Sequence, residues 1–211
     1  MAPISGPPGP PIPKGIGDLF RAEPEIVIMT CTRKGAMAIN ECALQAFYQR
    51  FPPRAVLPGD VESNPNNYYK DGTLKPIHKL ESIDLPVFKR MHTMFTRNVR
   101  KDIDYVNGMM GTLESYEVAT GRVRILTDTG FHVEVTPWTD RDFGNKVYYP
   151  IKPGYASTIL KLQGTEQKKI AVFLDAPNVP GGAYTALSRV SYINDFYIGG
   201  IVTADHFCPA K

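Results

Sequence analysis

Cysteine is scarce in this 211-residue chain. Its three cysteines, Cys31, Cys42 and Cys208, are odd in number and show no Cys-x-x-Cys spacing. That indicates neither a disulfide framework nor a structural zinc site and fits a reducing compartment. The four histidines are scattered as well. No stretch approaches 18 uninterrupted apolar residues, and the start has no basic-then-apolar pattern, so neither a membrane span nor a secretory leader is expected. The chain reads as a soluble intracellular protein, nuclear or organellar in a eukaryotic cell. Charge of one sign is not in large excess: 24 Lys and Arg against 21 Asp and Glu give +3, which admits a polyanionic partner without requiring one. No internal repeat is found. What is present is 43% hydrophobic residues, enough for one core of ordinary size with room for a small insert.

Residues 1–24 hold seven prolines and several glycines, a composition of polyproline II linkers, and are expected to be a disordered linker. Residues 25–30 form a β-branched run, and helix-period apolar positions follow at Ile39, Ala43, Ala46 and Phe47, predicting strand, loop and helix. Thr32, Arg33 and Lys34 fall where the strand hands over to the helix, the edge at which open α/β sheets bind ligands. The same residues also suit a solvated basic loop with Thr32 as helix cap. Residues 51–86 are rich in proline and asparagine without sustained periodicity and read as a long surface excursion, either functional itself or the approach to an inserted unit.

Residues 86–101 carry five Lys or Arg and no acid, interleaved with Phe88, Met91, Met94 and Phe95. Such a pattern suits a nucleic-acid backbone, and equally a half-buried strand with a basic edge. Three segments, 111–118, 122–127 and 131–136, are separated by short turns; in the last, Phe131, Val133 and Val135 alternate with His132, Glu134 and Thr136. This period-two pattern predicts a meander, read as a small barrel-like β insert with His132 facing solvent and Trp138 at its rim. Residues 170–174 are continuously apolar and end in Asp175, as for a strand covered on both faces, and a further strand is expected over 195–202. The fold class is therefore α/β, a parallel sheet interrupted by a β insert.

Two motifs bracket the strand at 170. The segment Tyr155-Ala-Ser-Thr-Ile-Leu-Lys-Leu-Gln-Gly164 resembles motif V, and Ala183-Tyr-Thr-Ala-Leu-Ser-Arg189 resembles motif VI, of superfamily 1B DNA helicases of the Pif1, RecD and Helitron type. Thr32-Arg33 with Asn40 matches the motif IV region; Thr96-Arg97-Asn98, Val106-Asn107-Gly108 and the ending Asp205-His206-Phe207 then Pro209 also fit, so the resemblance runs from residue 25 onward. It implies a second RecA-like helicase domain over 25–104 and 150–204, an SH3-like insert over 105–149 and a tail over 205–211. By that resemblance Arg189 is the arginine finger, and Arg33, Gln163 and Gly164 line the nucleotide cleft. Thr158, Lys161, Arg97 and Asn107 meet DNA, and Tyr184 and Ser188 position Arg189. ATP and Mg²⁺ are the implied cofactors, single-stranded DNA and a P-loop RecA-like domain the implied partners.

Departures limit this. No Gly-x-x-x-x-Gly-Lys-Ser/Thr occurs, so the phosphate-cradling loop must come from another chain or a missing upstream region. Leu160 stands where the family commonly has His, and Glu166 where it commonly has Thr. The competing expectations are a non-catalytic single-stranded nucleic-acid binding module and a decayed transposon-derived helicase fragment.

Overall fold

The computed structural model describes residues 4–5, 15–48, 53–162, 169–176, 181–188, 196–199 and 203–207. They fall into two compact units: Met1–Phe47 with Tyr155–Lys211, and Tyr48–Gly154. In chain order the elements are β1 (Ile4–Ser5), α1 (Ile16–Ala22), β2 (Val27–Thr30), α2 (Arg33–Tyr48), β3 (Ala55–Pro58), β4 (Asp84–Val87), β5 (His92–Phe95) and β6 (Met110–Glu117). They continue with β7 (Arg122–Thr127), β8 (His132–Val135), β9 (Trp138–Asp140), β10 (Lys146–Tyr148), β11 (Ile151–Pro153), β12 (Ala156–Thr158), β13 (Ile170–Phe173), α3 (Gly182–Leu187) and β14 (Phe196–Gly199).

The first unit is built on a five-stranded sheet in the order β1-β14-β13-β2-β12. Strands β14, β13, β2 and β12 are parallel, and β1 pairs antiparallel on β14. Strand β2 is buried at all four positions and β13 at three of four, the two-sided burial that selects continuous apolar runs in parallel sheets. Helix α2 buries Ala36, Ile39, Ala43 and Phe47 along one face. Helix α1 corrects the expectation of a disordered linker over 1–24. Ile16, Leu19 and Phe20 are buried at helical spacing, and Phe20 meets Tyr155 edge-on at 5.4 Å while Phe47 stacks on Tyr155 at 5.0 Å. Three apolar contacts at i, i+3 and i+4 outweigh a proline-rich neighbourhood. Within the expected tail, Ala204–Phe207 form a 3-10 turn in which the Thr203 amide donates to Nδ1 of buried His206 at 3.1 Å.

Asn40 ties helix to sheet. Its Nδ2 donates to the Ala156 carbonyl and its Oδ1 accepts from the Ala156 amide, both at 2.9 Å and buried, satisfying the free side of edge strand β12. Asn40→Ala is expected to cost about 2 to 4 kcal/mol in urea denaturation, because it strands two buried backbone groups. Asn40→Asp should not rescue it, since a carboxylate cannot donate to the carbonyl.

The second unit carries an antiparallel sheet in the order β11-β5-β6-β7-β8 and the pairs β3-β4 and β10-β9. Val123, Ile125, Val133 and Val135 are fully buried while Arg122, Arg124, His132 and Glu134 face solvent, as the alternation predicts. His132 bonds Glu114 at 3.0 Å on the exposed face. The unit is larger than the expected insert over 105–149. Its main sheet runs from His92 to Pro153, and the separate β3-β4 pair also belongs to the unit. The connection between β3 and β4 is ordered by side chains, not by strand periodicity. Asn67 Nδ2 donates to the carbonyls of Val61 and Glu81, each at 2.7 Å, and Asn64 Nδ2 reaches Glu81 and Ser82. The Tyr48–Gly154 unit is closed by a charge network. Arg97 Nη2 donates to Asp140 at 2.8 Å and to the Tyr148 hydroxyl at 2.8 Å, Nη1 donates to Glu62 at 3.1 Å, and the Tyr148 hydroxyl donates to Asp140 at 2.6 Å. Burial alone would raise the Asp140 carboxyl, but the bonds from Tyr148 and Arg97 outweigh it and hold it below the usual carboxylate range.

Asp60, close by, goes the other way: burial raises its carboxyl, against the bond from Ser63 at 2.6 Å. Thr96 lies near enough to ease the charge, yet its hydroxyl and Asp60 Oδ1 make no well-formed hydrogen bond. A carboxyl raised in the folded state favours folding while protonated; that contribution is complete below the unfolded value and is lost as pH rises through the folded one. Asp60→Asn, whose amide can donate to Thr96, is therefore expected to raise the melting temperature at pH 7 and to show a shrinking advantage as pH falls toward 4. A variant less stable than the parent at pH 7 would contradict this. Among the described residues no helix is long and apolar enough to cross a membrane.

Candidate functional site

The carboxyl ends of β12, β2 and β13 lie in one row, with Thr158 opposite Thr30 and Thr30 opposite Phe173. Strand spacing sets this edge at about 10 Å across three strands. Each strand end leaves the sheet into a different feature.

After β12 the chain turns at once. The amides of Lys161 and Leu162 donate back to the Thr158 carbonyl at 2.9 and 3.3 Å. Ile159 and Leu162 are buried beneath the turn while Leu160, 75% exposed, and Lys161 point outward. The spacing Thr-Ile-Leu-Lys-Leu is thus explained: apolar residues at 159 and 162 seat the turn, and Thr158 stands half-buried at its base.

After β2 the chain enters α2. Thr32 is the helix cap: its hydroxyl accepts from the Gly35 amide at 3.0 Å, the bond that N-cap threonines make. The same hydroxyl donates to Asp175, from just beyond β13, whose Oδ1 accepts the amides of Cys31 at 2.7 Å and Thr32 at 3.2 Å. A β-carbon on Gly35 would collide with the Asp175 carboxylate, so glycine there permits the carboxylate to approach the helix end. Arg33 and Lys34 stand exposed on the first turn. Thr32 therefore serves as the helix cap, with Arg33 exposed beside it at the carboxyl edge of the sheet. Burial raises the Cys31 thiol, and the Asp175 charge adds to it although backbone bonding opposes it; a thiol held protonated is no nucleophile.

Helix α3 packs Ala183 and Ala186 inward and turns Tyr184 outward at 77% exposure. The Ser188 hydroxyl donates to the Thr185 carbonyl at 2.9 Å, so Ser188 closes the helix end next to Arg189. Arg189, Gln163 and Gly164 lie outside the described residues.

The predicted site residues separate by unit. Arg33, Thr158 and Lys161 belong to the parallel-sheet unit, where the carboxyl edge carries them, and Arg97 and Asn107 belong to the Tyr48–Gly154 unit. Asn107 is exposed, and its amide donates to Asn98 Oδ1 at 2.9 Å. Arg97 has its guanidinium engaged by Asp140, Glu62 and Tyr148 and lies 5.7 Å from the Phe143 ring centre. Sequence reasoning missed the cap role of Asp175 and the strand-holding role of Asn40. The one signal for Asp175 was an acid directly following a fully apolar run.

The described residues show no cradle for the implied ATP and Mg²⁺. The α2 N-terminus is filled by the Asp175 carboxylate, which would repel a phosphate. Among the described residues no group of three or more His, Cys, Asp or Glu could hold a metal ion.

No protein-family profile matches the chain. Over 144 residues, 61% of this chain and 32% of the relative, it is 28% identical to the ATP-dependent DNA helicase Pif1 of Campylobacter jejuni. The crystal structure of Pif1 helicase from Bacteroides in complex with ADP-AlF3 and ssDNA superposes on 89% of this chain with a TM-score of 0.60 at 18% identity. The chain is Pif1-like. The Pif1 helicase of Candida albicans gives 0.58 over 87% of this chain at 19% identity. The likeness to solved Pif1 structures is one of fold, shared over 43% and 47% of those longer chains. The chain spans about a third of the length of its curated Pif1 relative.

Proposed function

We propose that this chain is the second RecA-like half of a Pif1-like, ATP-dependent 5′-to-3′ DNA helicase, with the Tyr48–Gly154 unit as its SH3-like insert. It works with a P-loop domain that holds ATP and Mg²⁺. In this reading Arg189 is the arginine finger, Arg33 a second cation toward the phosphates, and Gln163 and Gly164 part of the nucleotide-facing wall. Thr158 and Lys161 contact the phosphates of single-stranded DNA; Asn107 adds a contact from the insert, and Arg97 braces the insert instead of reaching DNA. Tyr184 and Ser188 set the end of α3 from which Arg189 follows.

The observation that carries the reading is the row of strand ends. A turn exposing Lys161 and a capped helix start exposing Arg33 leave adjacent strands of one parallel sheet, and two exposed cations on a single edge support a DNA contact at Lys161 and a phosphate contact at Arg33. The Bacteroides Pif1 structure with ADP-AlF3 and ssDNA supports the choice of ligands. Complementation tests it. Mixed with a Pif1-type P-loop domain, the chain should restore DNA-stimulated ATP turnover that neither piece shows by itself. A mixture no more active than the P-loop domain alone would refute the proposal.

A further inference from the structure

The five cations of residues 86–101 do not share one fate. Arg97 is engaged by Asp140 and Glu62, and Arg100 pairs with Asp102 at 2.5 Å. Lys89 and Arg90 stand exposed on the turn between β4 and β5. A third cation joins them from far along the chain: the Arg54 amide donates to the Val87 carbonyl at 2.8 Å, which places the start of β3 beside that turn. The turn is fixed against β6, since the Arg90 amide donates to the Leu113 carbonyl and the Leu113 amide to the Met91 carbonyl, each at 2.8 Å. Among the described residues none of Arg54, Lys89 and Arg90 has an ion-pair partner. Glu114, the acid next to Leu113, is occupied by His132.

Among the described residues Arg90 is also one of three non-glycine residues with positive φ, at 68°. Glycine adopts that backbone more easily, so the backbone conformation gives no reason of its own for an arginine here. Phe88 and Met91, the apolar members of the turn, are buried and offer no ring for base stacking. A protein partner would call for a desolvated apolar centre, yet Val56 is the single large apolar side chain exposed on the β3-β4 pair.

We propose that Arg54, Lys89 and Arg90 form a contact for the phosphate backbone of DNA, indifferent to base identity and to strandedness. It rests on the reading that the chain works on DNA and adds a contact separate from Thr158 and Lys161. Guanidinium forks suit phosphate oxygens, and unpaired cations release condensed counterions when they bind them.

The test is fluorescence anisotropy of the full chain on a labelled 20-mer of dT and a 20-base-pair duplex, from 50 to 200 mM salt. The triple variant R54A/K89A/R90A should flatten the plot of log affinity against log salt by ~2 to 3 on both probes, from roughly 0.7 to 0.9 per lost contact. Arg90→Gly separates binding from folding: it should melt no lower than the parent yet lose about one contact's worth of slope. If the parent binds and the triple variant keeps its slope, this contact is refuted while the DNA reading survives on Thr158 and Lys161. No binding by the parent at 50 mM salt overturns both. Poly-glutamate binding more tightly than either DNA would assign the surface to acidic protein segments and overturn the proposal.

Discussion

Arg189→Ala is expected to lower DNA-stimulated ATP turnover by ~10³ to 10⁵ in the enzyme assembled from this chain and a P-loop domain. In the proposed role its guanidinium, always charged, would present a planar fork of donors to charge that develops on the γ-phosphoryl group only in the transition state. An interaction made only there lowers kcat and kcat/KM together and leaves KM nearly unchanged. Arg189→Lys should recover little, because an ammonium cannot reproduce the fork. The helix that precedes Arg189 in sequence is seated by Ala183 and Ala186, and its end is closed by the Ser188 bond to Thr185. Steady-state kinetics at saturating single-stranded DNA measures the effect. A loss under tenfold, or one confined to KM, would remove Arg189 from the catalytic role.

Arg97→Ala is expected to destabilise the Tyr48–Gly154 unit by about 3 to 5 kcal/mol, the cost of breaking a buried ion pair from one side. Asp140, with 6% of its side chain exposed, would be left charged with the Tyr148 hydroxyl as its remaining side-chain donor. Arg97→Ala combined with Asp140→Asn should recover part of the loss, since no uncompensated charge then remains. Urea unfolding of both variants measures this. An Arg97→Ala protein of parental stability with weakened DNA binding would instead return Arg97 to the DNA contact that its sequence context suggested.

That context shows why some of the fold was legible and some was not. Continuous apolar runs at β2 and β13 and the alternation through β7 and β8 are local signals, and the strands stand where those signals place them. The partners of Arg97 are not local: Asp140 lies 43 residues away and Glu62 lies 35 away, so a cluster of cations in sequence carries no record of the acids that fold onto it. The boundary of the insert was hidden for a related reason. Residues between β3 and β4 are held by the side-chain amides of Asn64 and Asn67 on backbone carbonyls, which leaves no periodicity to read. Helix α1 was visible in principle through Ile16, Leu19 and Phe20, but the prolines before it dominate the composition of that stretch. At the candidate site, Thr158, Lys161 and Arg33 were legible as motif residues. The carboxylate of Asp175 on the cap of α2 was not, because it joins positions 143 and 144 residues apart.

The central claim is that this chain supplies one wall of a nucleotide site and no cradle. Phosphate release by the purified chain alone, with ATP, Mg²⁺ and single-stranded DNA, tests it most directly. The account predicts no turnover above background, with or without DNA. DNA-stimulated turnover that disappears in the Arg189→Ala variant would contradict it, because the chain would then hold and hydrolyse the nucleotide by itself.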